Sequence, residues 1–406
     1  MTSNLSRRAF LARSALIGCS AAASPLLTPV SFAAAPWDTR LVVIVLRGGM
    51  DSLDVVRPYG SPEFANLRGK LAAKRKGVTD LDGFYGMHPT LKPLAPLWKK
   101  GDLGFVHAVS TPYRNKRSHF DGQDILEAGT PSLDGARDGW LNRMLTHVPG
   151  VDARTAFAIG HGEMKLLAGN APVADWSPDA ELVMSPQAKR LAELVMQDDP
   201  LFHAALGEAL MLSESDDAPA LLDGSLEEDS MSMAAPAPAR GKTHLKVAEF
   251  AAEQLRGDTR VASFSINGWD THNNQGRTLS PALERLSDTI LALKKGVGPG
   301  IWEKTAIVAM TEFGRTVKIN GTGGTDHGTG GAMVLAGGAV RGGRVYGTWP
   351  GLAEADLFER RDLMPTGDVR APAAWIMRGL TGLDQSTLES SVFPGLQMGR
   401  DEGFLL

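Results

Sequence analysis

The chain has 406 residues, 43% of them hydrophobic, with 42 basic and 46 acidic side chains and a net charge of -4. That length and content suit one large α/β domain with an insertion, and the scattered basic residues leave no electrostatic footprint for nucleic acid. Cys19 is the only cysteine, which excludes a disulfide framework, a thiolate metal site and a cysteine nucleophile from everything beyond the N-terminal leader.

The segment Ser6-Arg7-Arg8-Ala9-Phe10-Leu11 sets paired arginines ahead of an alanine-rich, weakly apolar stretch that ends in Ala33-Ala34-Ala35. This predicts a twin-arginine signal peptide over residues 1–35, the twin-arginine translocase as a partner, and a periplasmic or otherwise extracytoplasmic location. Pro25 and Pro29 argue against a buried N-terminal helix there. Leu16-Ile17-Gly18-Cys19 also fits a lipoprotein box, so a membrane anchor is expected only if Cys19 is lipidated. No later stretch is long and apolar enough to span a membrane.

Short apolar, β-rich runs follow at 41–46, 103–109, 261–266, 305–310 and 332–335, each succeeded by a loop bearing Gly, Asp or Ser. Such runs read as buried parallel strands. Helical patterns at 91–100, 123–128 and 281–295 lie between them, so residues 36–406 are expected to form an α/β fold: a doubly wound, mostly parallel sheet flanked by helices. The alternation weakens over about 138–246, which reads as an inserted helical and irregular region. Within it, residues 213–242 are rich in Ala, Pro, Ser, Asp and Glu and read as a flexible surface linker.

Ligands of such sheets collect at the carboxyl ends of the strands. Asp51 follows the first run and a Gly-Gly turn, in a position that suits either a metal ligand or a helix N-cap. Ser118 opens a helical segment, where backbone amides and the helix dipole favour an anionic substrate and an attacking alkoxide; a simple cap is the alternative. Asp270 and His272, after the run at 261–266, are two apart on an extended segment and so face the same side, where both can reach one cation. A metal-free Asp-His hydrogen bond is the competing reading.

Glu312 ends the run at 305–310, with Arg315 three residues on and available to equatorial ester oxygens or to a salt bridge. Asp326 and His327 precede the last run; adjacent residues on extended chain point apart, so His327 is expected to bind metal, with Asp326 orienting it or completing another site. His88 is expected to cap or pack and His107 to lie in the core, whereas His147, His161, His203 and His244 show no ligand spacing.

Taken together, Val45-Leu46-Arg47-Gly48-Gly49-Met50-Asp51, Arg117-Ser118-His119-Phe120, Gly139-Trp140-Leu141, Gly268-Trp269-Asp270-Thr271-His272, Thr311-Glu312-Phe313-Gly314-Arg315 and Thr325-Asp326-His327-Gly328 resemble the exported bacterial family of the domain of unknown function 1501. That family resembles a branch of the alkaline phosphatase and sulfatase superfamily, which implies an alkaline-phosphatase-like, metal-assisted hydrolase with its nucleophile at a helix start. The resemblance implies Ser118 as nucleophile, Asp51 as a metal aspartate, and Asp270, His272 and His327 as ligands of one ion.

Glu312 stands where the superfamily has Asp followed by His, and Phe313 removes that imidazole, which implies a second site that is weak, altered or empty. Ser110-Thr111-Pro112-Tyr113-Arg114 fits the loose Ser-x-Pro-x-Arg pattern of serine-type sulfatases but lies farther than Ser118 from Gly129 at the helix end. The cofactor expectation is one or two divalent ions, zinc first, with calcium, magnesium or manganese as alternatives. The functional expectation is hydrolysis of a phosphate or sulfate ester, an anionic substrate. A noncatalytic periplasmic binding or envelope-assembly protein on the same fold is the alternative.

Overall fold

A computed structural model describes residues 37–73, 77–114, 118–160, 164–178 and 242–406. The leader at 1–35, the linker at 213–242 apart from Lys242, and Arg117, His161 and His203 lie outside these residues.

The strands are β1 (Arg40–Arg47), β2 (Val56–Arg57), β3 (Thr79–Asp80), β4 (Gly86–Met87), β5 (Leu103–Ser110), β6 (Ala156–Ile159), β7 (Ala174–Trp176), β8 (Val261–Asn267), β9 (Thr305–Met310), β10 (Gly331–Ala336), β11 (Val345–Tyr346) and β12 (Gly367–Asp368). The main sheet runs β11-β5-β10-β9-β1-β8-β6-β7, with β12 also paired to β5; β2, β4 and β3 form a small separate sheet. β1 is parallel to both β8 and β9, as expected of its unbroken apolar run.

The run at 332–335 departs from that expectation. β10 is antiparallel to both β9 and β5, and every other pairing in the main sheet is parallel, so the sheet is mostly parallel, as expected, with this one strand reversed. A second difference concerns the stretch read as an insertion: β6 and β7 lie within it and extend the main sheet through β8, while the helix Trp140–Thr146 packs on one face.

Strand side chains alternate, so β1 feeds two cores. Val42, Ile44 and Leu46 point into one, covered by the helices Thr243–Arg256 and Gln275–Val297. Leu41, Val43 and Val45 point into the other, beneath Trp140–Thr146 and Arg370–Thr381. The result is three layers, with the carboxyl ends of β1, β5, β8 and β9 on one edge. Because β10 is reversed, its start lies on that same edge. Among the described residues no helix is long and apolar enough to cross a membrane.

Candidate metal centre

Four loops meet at that edge. Gly48, after β1, has φ +124°, and a Cβ there would stand 2.5 Å from the amide nitrogen of Asp270, so glycine permits the close approach of the β1 and β8 loops. The helix His119–Ala128 begins beside them. Ser118 is its N-cap, accepting from the Asp121 amide at 3.3 Å, and its own amide donates to Tyr113 Oη at 2.8 Å. Capping of this kind fixes the first turn, and His119 is the first residue of that turn.

His119, not among the expected ligands, enters the cluster. A ring nitrogen of His119, a carboxylate oxygen of Asp270 and a ring nitrogen of His327 lie within 4.8 Å of one another. Asp270 Oδ1 accepts from Arg315 at 2.6 Å and stands 2.9 Å from His272 Nε2 and 3.3 Å from His327 Nε2; its Oδ2 faces His119 Nε2 across 3.5 Å. His272 Nε2 and His327 Nε2 approach to 2.9 Å. The structure therefore brings Asp270, His272 and His327 together and adds His119.

A divalent ion fits these residues. His119 Nε2 is buried without a hydrogen-bond partner, and it faces a carboxylate and a second imidazole. Two imidazoles and one carboxylate make a three-ligand set typical of catalytic zinc sites and suited to borderline transition ions more than to calcium or magnesium.

Charge explains how the cluster is held. Burial alone would lower the His119 pKa, but the Asp270 and Glu312 carboxylates outweigh it and push it up to about 9. Burial alone would raise Asp270; His119, His327 and Arg315 together hold its carboxyl well below the usual range. Glu312 is wholly buried, and despite that burial its pKa is lowered, chiefly by His119.

Several expected roles move. Glu312 sits behind His119 rather than beside the ion position: Oε1 lies 2.7 Å from His119 Nδ1 and accepts from the Gly48 amide at 2.9 Å and from Gln123 at 3.2 Å, while Oε2 accepts from Thr311 Oγ1 at 2.9 Å. A carboxylate thus orients an imidazole whose other nitrogen faces Asp270. Arg315 is no surface clamp for an ester, because its side chain is fully buried and all three nitrogens are engaged, by Asp270, Gly48 O and both oxygens of Thr325.

Asp51 stands apart from the converging ligands as the N-cap of Ser52–Val55, with Oδ1 taken by the Leu53 amide and Oδ2 by Arg68 and Gln275. Asp326 approaches Nδ1 of His272 at 3.3 Å and is itself held by Asn320 at 3.0 Å. His88 caps the 3-10 turn Pro89–Leu94, as read. Ser110 Oγ accepts from Arg114 at 3.0 Å at the end of β5.

Phe313 follows Glu312 and packs against the cluster. Its ring is buried against His119 at 4.9 Å and His327 at 5.0 Å between centroids, with Tyr113 stacked beyond at 6.3 Å. An apolar wall thus closes one side of the cluster.

Among solved structures, the chain is similar to the C-terminal periplasmic domain of EcEptC from Escherichia coli in complex with Zn, at 11% identity over 91% of this chain and 92% of that one, with a TM-score of 0.39. It is also similar to the lipoteichoic acid synthase LtaP from Listeria monocytogenes, at 8% identity, 90% and 78% coverage and a TM-score of 0.38. A TAB5 alkaline phosphatase variant with bound Mg gives 12%, 77%, 94% and 0.35 in the same order. No curated protein matches the sequence. The sequence profile of the family described as "Protein of unknown function (DUF1501)" matches residues 108–373, more than half of the chain and spanning His119, Asp270, Glu312 and His327, and the chain belongs to that family.

Proposed function

We propose that this protein is an exported metal-dependent hydrolase of phosphate or sulfate esters, holding a divalent ion through His119, Asp270 and His327 with His272 alongside. The observation that carries the reading is the buried Nε2 of His119, which makes no hydrogen bond and stands 3.5 Å from Asp270 Oδ2 in a cluster with His327. When bound, the ion supplies a Lewis acid that polarises an ester oxygen. Glu312 fixes the His119 ring, and Arg315 fixes Asp270. Ser118, one residue from His119 at a helix start, is the proposed nucleophile: its Oγ bonds to phosphorus or sulfur as the ester alcohol leaves with a proton, and water then cleaves the seryl ester.

The test uses protein exported by its own host. Metal analysis should find stoichiometric divalent ion, with zinc expected. Ser118→Ala should keep the metal yet lose at least about a thousandfold in turnover of an activated aryl phosphate or sulfate. Ser110→Ala should be nearly harmless. The reverse pattern, with an aldehyde at residue 110 by mass spectrometry, would assign a formylglycine sulfatase instead.

One observation favours a noncatalytic binding protein: Arg315, sought as the cationic contact for ester oxygens, is wholly committed inside the protein. Stoichiometric metal without turnover on a broad ester panel would establish that reading. Export through the twin-arginine translocase, with or without lipid at Cys19, is part of the proposal, and Arg7→Lys with Arg8→Lys should leave the precursor in the cytoplasm.

A further inference from the structure

We infer that Gln275 is a positioning residue that clamps together the two loops carrying the metal ligands, an inference that rests on the metal-site reading above. Gln275 is the first residue of the helix Gln275–Val297 and is wholly buried. The preceding residue, Asn274, has φ +44°, in the left-handed region that a non-glycine residue enters at a cost. The chain accepts that conformation where it turns the Gln275 side chain inward.

Every hydrogen-bonding capacity of the Gln275 amide is used. Nε2 donates to Asp51 Oδ2 at 2.5 Å and to Asp54 Oδ2 at 3.1 Å. Oε1 accepts from Thr271 Oγ1 at 2.8 Å and from Thr325 Oγ1 at 2.7 Å. Two carboxylates on one side and two hydroxyl donors on the other fix the amide's orientation. Glutamate would set a third carboxylate against two others, and an apolar residue would take the acceptor from two buried hydroxyl groups and one donor from each of two buried carboxylates.

The hydroxyl partners are placed to matter. Thr271 lies between Asp270 and His272, and Thr325 two residues before His327. The Thr325 amide also donates to Thr271 O at 3.1 Å, and Thr325 receives the Arg315 guanidinium that holds Asp270. Gln275, Thr325, Arg315, Asp270 and Thr271 therefore close a ring of polar contacts and covalent links behind the ligands. On the far side Asp51 pairs with Arg68, and Asp54 with Arg57 at 2.5 Å, so the clamp is anchored in two buried ion pairs.

The experiment compares wild type with Gln275→Met and Thr271→Val in the folded full-length chain. Zinc affinity is measured by chelator competition, and amide hydrogen exchange is followed in the metal-free protein. Thr271→Val keeps the side-chain shape and removes one hydrogen bond to Gln275, so it remains informative if Gln275→Met does not fold. Zinc affinity should fall about tenfold or more in Gln275→Met and about threefold or more in Thr271→Val. The Thr325 amide should exchange about tenfold faster in Gln275→Met while amides in β1 keep their protection. Unchanged zinc affinity and unchanged Thr325 exchange in the folded Thr271→Val protein would overturn the clamp. If wild type binds no zinc, the metal reading fails, and Thr325 exchange alone decides between clamp and no clamp.

Discussion

Glu312 Oε1 lies 2.7 Å from His119 Nδ1, so a wholly buried carboxylate fixes an imidazole whose other nitrogen faces Asp270. The shape of Gln suits that pocket, but its neutral amide is a weaker partner for the ring. Glu312→Gln should leave the fold intact and reduce zinc affinity by roughly ten- to a hundredfold, the usual cost of losing a group that orients a ligand. Isothermal titration with zinc is the check, and wild-type affinity in the variant would remove Glu312 from the site.

His107 offers a pH test away from the metal centre. Its ring lies 5.3 Å from both Tyr85 and Trp349, and burial pushes its pKa down from 6.5 to about 4, against a smaller opposing effect of the Val56 and Ser52 backbone. Between those pH values the unfolded chain binds a proton on this residue and the folded chain does not. Stability should therefore fall as pH falls through that window, by roughly 3 kcal/mol from this group. His107→Phe should flatten the corresponding part of a denaturant-midpoint profile between pH 7 and pH 4; an unaltered slope would assign the acid sensitivity to other groups.

Gly122 sets helix propensity against packing. Alanine in a helix is ordinarily favoured over glycine by about 1 kcal/mol. Here a Cβ would stand 3.0 Å from Phe313 Cδ1 and 3.3 Å from Glu312 Cβ, and the Phe313 ring is hemmed in by His119, His327 and Tyr113. Overpacking of roughly 1–3 kcal/mol should win. Gly122→Ala is expected to lower the melting temperature and weaken zinc binding together, whereas a gain in stability would mean that the ring has room to move.

Arg68 and Asp51 form an ion pair with neither side chain in contact with water. Removing one partner strands the other, so Arg68→Met should cost roughly 3–5 kcal/mol in urea unfolding. Combining it with Asp51→Asn should recover part of that loss, because the uncompensated charge is then gone. Simple additivity of the two losses would show that the pair is not coupled.

Much of the sheet was legible because buried strands read as unbroken apolar runs: the run at 305–310 coincides with β9, and that at 261–266 falls one residue short of β8. Direction was not legible, since an apolar run such as 332–335 carries no sign of which way its strand is paired. β6 and β7 were missed because four and three residues are too few to establish a period.

At the site, Asp270, His272 and His327 were legible from their place at strand ends. His119 was not legible, because it follows no strand and its neighbour Ser118 carries the helix-start chemistry. The available signal was its spacing of four from Gln123: both lie on one helix face, and both contact Glu312. The burial of Arg315 was invisible, because nothing in the sequence distinguishes a guanidinium that closes an internal ring from one that meets a ligand.

β10 runs against its neighbours, and only for that reason does a residue ahead of a strand share an edge with residues that follow β8 and β9. His119, Asp270 and His327 come from three segments, the last two 57 residues apart. An unfolded chain holds no such trio close together, so an ion cannot template early folding as it does in a local chelating motif. On the proposed reading, an ion would bind the folded protein and act there as a clasp. Its protection against unfolding then grows only logarithmically with free ion once the site is filled, and chelation should strip the clasp while leaving the sheet standing.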